Sequence, residues 1–226
     1  MPLTIAIDGP VGAGKSTIAR EVASRLGILH LDTGAMYRAV GFAALKRHIS
    51  PEDEESLDLM CREIQITVRY RSGTQETLVD GEDVSGFIRT PEVGMAASNV
   101  SKWGKVRHHM VALQRKLAAE QPMVVDGRDI GTNVLTNAPV KIFLTATPEE
   151  RARRRHEELM EKGAADTYHE VLEALIKRDH QDSTRSVDPL RPADDAVILD
   201  TTGLNKDQVV ERILKIVEER YGKAQA

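Results

Sequence analysis

Leu3-Thr4-Ile5-Ala6-Ile7-Asp8-Gly9-Pro10-Val11-Gly12-Ala13-Gly14-Lys15-Ser16-Thr17-Ile18-Ala19-Arg20-Glu21-Val22-Ala23 is the stretch that decides how this chain folds. The apolar run 3 to 7 reads as a buried strand, and 17 to 23 carries helical spacing, so Gly9 to Ser16 joins strand to helix. That connection fits G-x-x-x-x-G-K-[ST]. Glycines let successive backbone N–H groups turn inward around phosphates, and the helix N-terminus adds partial positive charge. Gly9, Pro10, Val11, Gly12, Ala13, Gly14, Lys15, Ser16 and Thr17 are the expected cradle. Lys15 would reach the outer phosphates of a nucleoside triphosphate, and the Ser16 hydroxyl is placed to ligate Mg²⁺.

Outward from this loop, strand-like runs recur between helical stretches at 3 to 7, 28 to 31, 123 to 125, 140 to 144 and 196 to 199. Such alternation predicts a parallel sheet flanked by helices, an α/β fold of the P-loop NTPase type. Residues 64 to 88 break the pattern. They alternate as a small antiparallel meander with turns at Ser72-Gly73 and Asp80-Gly81, an insertion at one edge of the core. No repeat or Pro/Gly/Ser linker separates two domains, and 226 residues suit one domain with insertions. A net charge of −4 gives no global attraction to nucleic acid or to an anionic membrane. No apolar stretch approaches membrane-spanning length, so a cytoplasmic protein is expected. Cys61 lies at apolar helical spacing and is expected to pack rather than react.

The remaining polar clusters sit where ligands of open α/β folds bind. The strand Leu29-His30-Leu31 ends in Asp32-Thr33-Gly34-Ala35-Met36-Tyr37-Arg38. Asp32 and Thr33 can cap the following helix, while Arg38 can pair with a second phosphate. Met123-Val124-Val125 ends in Asp126-Gly127-Arg128-Asp129, three charges in four residues that must serve one another or a ligand. Arg128 suits phosphate. Asp126 can accept from Lys15 or hold a magnesium-bound water, and Asp129 is a natural acceptor for an exocyclic amino group such as cytosine N4. An Asp-Arg pair closing the Gly turn is the plainer alternative.

Thr147-Pro148-Glu149-Glu150 reads as a capping box, opening a helix that carries Arg151, Arg153, Arg154 and Arg155. Arg151 shares a face with Arg154 and Arg155, where like charges repel unless something anionic neutralises them. One reading is a solvated helix balanced by Glu157, Glu158 and Glu161. The other is a lid that brings Arg151 and Arg154 to the donor phosphates and expels water, with Gly163-Ala164-Ala165 permitting movement. In the cluster 177 to 185, Arg178 and Arg185 could close on a second nucleotide and Asp182 could accept from its ribose hydroxyls. Adjacent His108 and His109 point roughly 100° apart on a helix and are read as surface residues.

Taken in order, these stretches resemble the bacterial cytidylate kinases, which are nucleoside monophosphate kinases. The resemblance is carried by Ile7-Asp8-Gly9-Pro10 with its loop, Leu31-Asp32-Thr33-Gly34-Ala35-Met36-Tyr37-Arg38, Gly81-Glu82-Asp83-Val84-Ser85 with Ile88-Arg89-Thr90, Asp126-Gly127-Arg128-Asp129-Ile130-Gly131-Thr132, and Arg178-Asp179 with Arg185. It implies transfer of the γ-phosphoryl group from ATP, with Mg²⁺, to CMP and dCMP. Arg38, Arg128 and Arg185 would bind the acceptor phosphate with help from Tyr37. Ser98, Arg107 and Asp129 would read the cytosine, and Arg178 and Asp182 would meet the sugar. Thr33 stands where many members carry serine and keeps the hydroxyl. A single domain over 1–226 is expected, with a core at about 1–35, 104–147 and 186–226, an acceptor-binding region with the β insertion at 36–103, and a helical lid at 148–170.

The acceptor is itself an anionic phosphate, so no strong general base is needed, and catalysis rests on alignment and charge absorption by Lys15, Arg128, Arg185, Mg²⁺ and lid arginines. A monomer is expected, with small-molecule substrates and neither nucleic acid nor membrane as partner. Three other readings compete. A kinase of UMP, shikimate or dephospho-coenzyme A would keep Lys15 without needing Asp129. A regulatory GTPase would carry N-K-x-D, which follows no strand here. A nucleic-acid-binding module would call for a basic stripe with interleaved aromatics, whereas aromatic residues make up 4% of the chain.

Overall fold

The computed structural model describes residues 2–161, 163 and 165–225. In chain order the elements are β1 (Thr4–Asp8), α1 (Lys15–Leu26), β2 (Leu29–Asp32), α2 (Thr33–Lys46), α3 (Glu54–Glu63), β3 (Ile66–Arg71), β4 (Thr74–Val79), β5 (Glu82–Asp83), α4 (Pro91–Val100), α5 (Gly104–Glu120), β6 (Met123–Asp126), a π-helical turn (Ile130–Val134), β7 (Val140–Thr145), α6 (Pro148–Glu161), α7 (Tyr168–Thr184), β8 (Val197–Asp200) and α8 (Lys206–Gln225). They divide between two compact units, one of residues 3–28 with 123–226 and one of residues 29–122. Helix α5, which the sequence assigns to the core, falls in the second unit because it packs on α2 and α3.

In the first unit four parallel strands lie in the order β6-β1-β7-β8. Ile5 pairs with Val124 on one side and Val140 on the other, and Ile7 with Asp126 and Ile142. Continuous apolar strands are what a parallel sheet covered on both faces requires. Ile5, Ile7, Val124, Ile142 and Leu144 form its core with Ile18 and Val22 of α1 and Val210 and Ile213 of α8. Every strand expected here is present, β1 and β8 each one residue later than the sequence suggested.

In the second unit β3, β4 and β5 form the expected antiparallel meander. Arg71 pairs with Thr74 and Val79 with Glu82, leaving two-residue turns at 72–73 and 80–81. All four turn residues have positive φ, at 51°, 76°, 52° and 84°. That is the twist a tight hairpin needs and the reason each turn pairs a small polar residue with glycine. Asp32, Asp53 and Thr90 each accept a backbone N–H at the start of α2, α3 and α4. Helices α2 and α4 pack together, α3 and α5 are joined by Lys105 to Glu55, and the segments just before them by Lys102 to Glu52 and Trp103 Nε1 to Pro51 O.

Two expectations about single side chains divide here. Cys61 is buried, and burial pushes its thiol up to about 11, so it packs as expected. His109 is half-buried rather than free on the surface: its Nε2 lies 2.9 Å from Oδ1 of buried Asp58, on the face of α5 that packs onto α3. His108 is exposed.

Candidate active site

Gly9 leaves β1 with φ 148°, and a Cβ there would lie 2.0 Å from Leu144 O, so only glycine lets the loop start this close to β7. Gly14 caps α1 in the left-handed conformation and makes no side-chain cap hydrogen bond. A helix N-terminus capped by glycine is suited to an anion. Lys15 is 6% exposed, and its Nζ donates to Pro10 O at 2.7 Å. Burial pushes the amine down to about 7, helped by the Arg128 guanidinium and opposed by Asp126, Asp182 and Asp8. Ser16 Oγ donates to Asp126 Oδ2 at 2.8 Å. These hydroxyl and carboxylate oxygens are the hard donors Mg²⁺ takes.

Beyond β6 the charged turn is organised by acids from elsewhere in its unit. Arg128 Nε donates to Asp182 Oδ2 at 2.8 Å and its Nη1 to Gly127 O at 3.2 Å. Burial works against the guanidinium charge, but Asp182, Asp126 and Asp179 outweigh it and raise its pKa. Burial likewise works against ionised Asp182, and Arg128, Arg178 and Arg185 overcome it, lowering that pKa. Arg185 donates to Asp129 Oδ1 at 3.1 Å and, through Nε, to Asp188 O at 2.6 Å. Asn133 Nδ2 donates to Asp129 Oδ2 at 3.1 Å. Asp8 accepts from the Ile130 and Gly131 N–H groups, both at 2.7 Å, and so fixes the π-helical turn after Asp129. Burial raises the Asp8 carboxyl to about 6 despite those bonds and nearby Lys15, and Asp129 adds to the rise.

In the 29–122 unit, Asp32 accepts from Ala35 N at 2.9 Å and from Arg89 Nη2 at 2.9 Å, so it caps α2 as expected and also holds Arg89. Arg38 Nη1 donates to Ile88 O at 3.4 Å and lies beside Gly94, where a Cβ would come within 3.0 Å of it. Arg107 is 2% exposed, sits 5.8 Å from the Tyr37 ring centroid and donates to Ser101 O at 3.4 Å. A guanidinium over an aromatic face is held by the ring quadrupole. Thr33 and Ser98 are buried in the same unit, Ser98 one turn before Ser101, whose hydroxyl donates to Ser98 O.

The two arginines expected at the donor phosphates are both held by partners within the protein. Thr147 caps α6, its Oγ1 accepting from Glu150 N at 3.3 Å, but the expected capping box is not closed: Thr147 N donates to Thr202 Oγ1, and the Glu150 carboxylate is taken by Arg153 and Arg154. That start sets the helical phase. It turns Arg151 inward to Ala146 O at 2.9 Å, Val11 O at 2.9 Å and Asp179 Oδ2 at 2.5 Å. It turns Arg154 to Thr201 Oγ1 and O, with Glu150 taking its Nε. Arg153 pairs with Glu150 and Glu157, and Arg155 with Glu158, in agreement with the solvated-helix reading for those two. Hydrogen bonds from Arg153 and Arg154 hold Glu150 down to about 2. Of the expected hinge, Gly163 has φ 74° and Ala164 lies outside the described residues.

A family model for cytidylate kinase matches residues 5–219. The chain belongs to the cytidylate kinase family. It is 50% identical to a cytidylate kinase of Caldicellulosiruptor bescii, covering 95% of each chain. It is 48% identical to one of Thermosipho melanesiensis, covering 97% of this chain and 99% of that one. Among solved structures, an uncharacterized protein from Eubacterium ventriosum shares the fold with a TM-score of 0.54 at 13% identity, covering 96% of this chain and 99% of the other.

Within this cytidylate kinase family chain, Asp8, Asn133 and Asp179 have no site role in the sequence reading, although Asp8 and Asp179 lie in the stretches that carry the resemblance. Asp8 had a signal, being an acid at the carboxyl end of a buried strand, as Asp126 is. Asp179 lay inside the noted 177–185 cluster. Nothing local marked Asn133.

Proposed function

We infer that this chain transfers the γ-phosphoryl group of ATP to CMP and dCMP, giving CDP and dCDP. The observation that carries the reading is a glycine loop with a buried Lys15, flanked by the Asp126–Arg128–Asp182 array, in a chain of this family. Lys15 and the first-turn amides of α1 hold the donor phosphates. Arg38, Arg128 and Arg185, with Tyr37, take the acceptor phosphate. Ser98, Arg107 and Asp129 read the cytosine, Arg178 and Asp182 bind the sugar, and Thr33 lends its hydroxyl beside Tyr37. Asp129 is already fixed from two sides by Arg185 and Asn133, which suits an acceptor that must face one exocyclic amino group.

Ser16 and Asp126 fit a magnesium ion, which when bound neutralises charge on the phosphates. The chain's own contribution is alignment and electrostatics. The acceptor oxygen is anionic near neutral pH, so no residue need act as a strong base, and donors fixed beforehand need no reorganisation as charge moves. Among the described residues no helix is long and apolar enough to cross a membrane. The protein works as a cytoplasmic monomer on small nucleotides, with no nucleic acid partner.

The test is ADP release from ATP and Mg²⁺ with CMP, dCMP, UMP, AMP and GMP offered in turn. Turnover confined to cytosine nucleotides is expected. Equal use of UMP would remove Asp129 as base reader, and no acceptor-dependent turnover would sink the kinase reading.

A further inference from the structure

The first half of the phosphate loop is gripped from outside the loop. Asp179 Oδ1 accepts the Val11 N–H at 3.2 Å, Arg151 Nη1 donates to Val11 O at 2.9 Å, and the same Nη1 meets Asp179 Oδ2 at 2.5 Å. Both faces of one peptide residue are thereby tied to a single ion pair. Arg151 is 4% exposed and also donates to Ala146 O, while the Asp179 side chain keeps 22% exposure. Two further contacts converge on the same spot. The Val11 side chain packs on the cluster of Ala152, Val171 and Leu175 from α6 and α7. At Gly12, φ is 74° and an added Cβ would meet Leu175 Cδ1 at 3.2 Å and Arg151 Cβ and O at 3.3 Å.

We propose that Asp179 and Arg151 form a positioning pair, a strut between α6, α7 and the Val11 peptide that holds the phosphate loop in its donor-binding shape before ATP arrives. The proposal rests on the reading that this loop binds the donor. A charge pair with one buried partner, tied by further hydrogen bonds to Ala146 O and Val11, holds a defined geometry, and a cradle fixed in advance spares the ligand the cost of ordering it. Asp179 Oδ2 is matched to Arg151, so a carboxylate can stand beside an anion-binding loop. Both side chains act through the Val11 peptide, which they hold by hydrogen bonds to its N–H and O. Their effect falls on donor affinity, not on the transfer step.

The test compares Asp179→Asn, Arg151→Met and the double variant in the full-length chain. Asparagine keeps the shape of Asp179 but loses the charge, and the partial exposure of this side chain makes the variant tolerable. Melting temperature monitors folding. In Asp179→Asn the Val11 amide, followed by hydrogen exchange without nucleotide, should exchange about tenfold faster, the loss of one charge-assisted hydrogen bond. KM for ATP should rise about tenfold, while kcat and KM for CMP stay within about twofold. The double variant should be no worse than the poorer single one, since either change breaks the same strut. Unchanged Val11 exchange, or effects on ATP KM that multiply in the double variant, would overturn the proposal, the second by making Arg151 an independent phosphate ligand. If ATP fails to protect amides 12–16 in the unaltered chain, the donor reading falls while the strut still stands or falls on exchange at Val11.

Discussion

Nucleotide binding should pull a proton onto Lys15. Burial, aided by Arg128, holds its amine near 7 against an ordinary value of 10.5, a difference of roughly 5 kcal/mol against the charged form. Phosphates reverse the balance by placing negative charge beside Nζ, so the pKa returns toward its ordinary range. At pH 8 the empty site is then about one-tenth protonated, and ATP binding should take up about 0.9 proton, falling to about 0.5 at pH 7 and 0.1 at pH 6. Titration calorimetry in two buffers of different ionisation enthalpy reads this number directly. Lys15→Met supplies the baseline for protons released or bound by the nucleotide itself. The same depression sets a stability trend. A lysine whose folded pKa is lowered contributes stability present above the unfolded value of 10.5 and lost as pH falls through about 7. Lys15→Met should therefore stabilise the empty protein by several kcal/mol at pH 6 and by much less at pH 9. Equal proton uptake by the two proteins at pH 8, or a stability difference that does not change with pH, would refute a buried, largely neutral Lys15.

Other consequences are as direct. Asp129→Asn offers an amide that can donate to uracil O4. It should cut kcat/KM for CMP about 10- to 100-fold and shift the CMP:UMP ratio toward UMP, read in the ADP-release assay. Gly9→Ala drives a Cβ to 2.0 Å from Leu144 O, so urea unfolding should show a loss of more than about 3 kcal/mol along with lost ATP binding. Asp8, raised from 3.8 to about 6, contributes stability that is full below 3.8 and disappears as pH rises through 6. Unfolding free energies should show the wild type losing roughly 2 kcal/mol relative to Asp8→Asn between pH 4 and 7, and parallel curves would show that Asp8 ionises normally.

Much of this chain is written in short segments. The Gly9–Ser16 loop, its flanking strand and helix, the two hairpin turns and the Thr147 cap each depend on residues a few positions apart, whose backbone preferences and hydrogen bonds are set locally. For that reason the sequence by itself determined the fold class, the strand–loop–helix of Gly9–Ser16 and the family. It also placed Asp129 and Arg128 at a strand end where ligands bind. The partners of those charges were not legible. Arg185 reaches Asp129 across 56 residues, Asp182 reaches Arg128 across 54, and Asp179 reaches Val11 across 168. No local pattern carries such pairings, because any exposed arginine can find an acid and only packing decides which. Arg151 makes the point most sharply. By composition it belongs to a solvated, arginine-rich helix, yet starting α6 at Pro148 sets its phase so that this one guanidinium is buried against the phosphate loop. Sequence supplied the groups, while the tertiary structure chose which of them face one another, since burial makes an unpaired charge too costly to leave to chance.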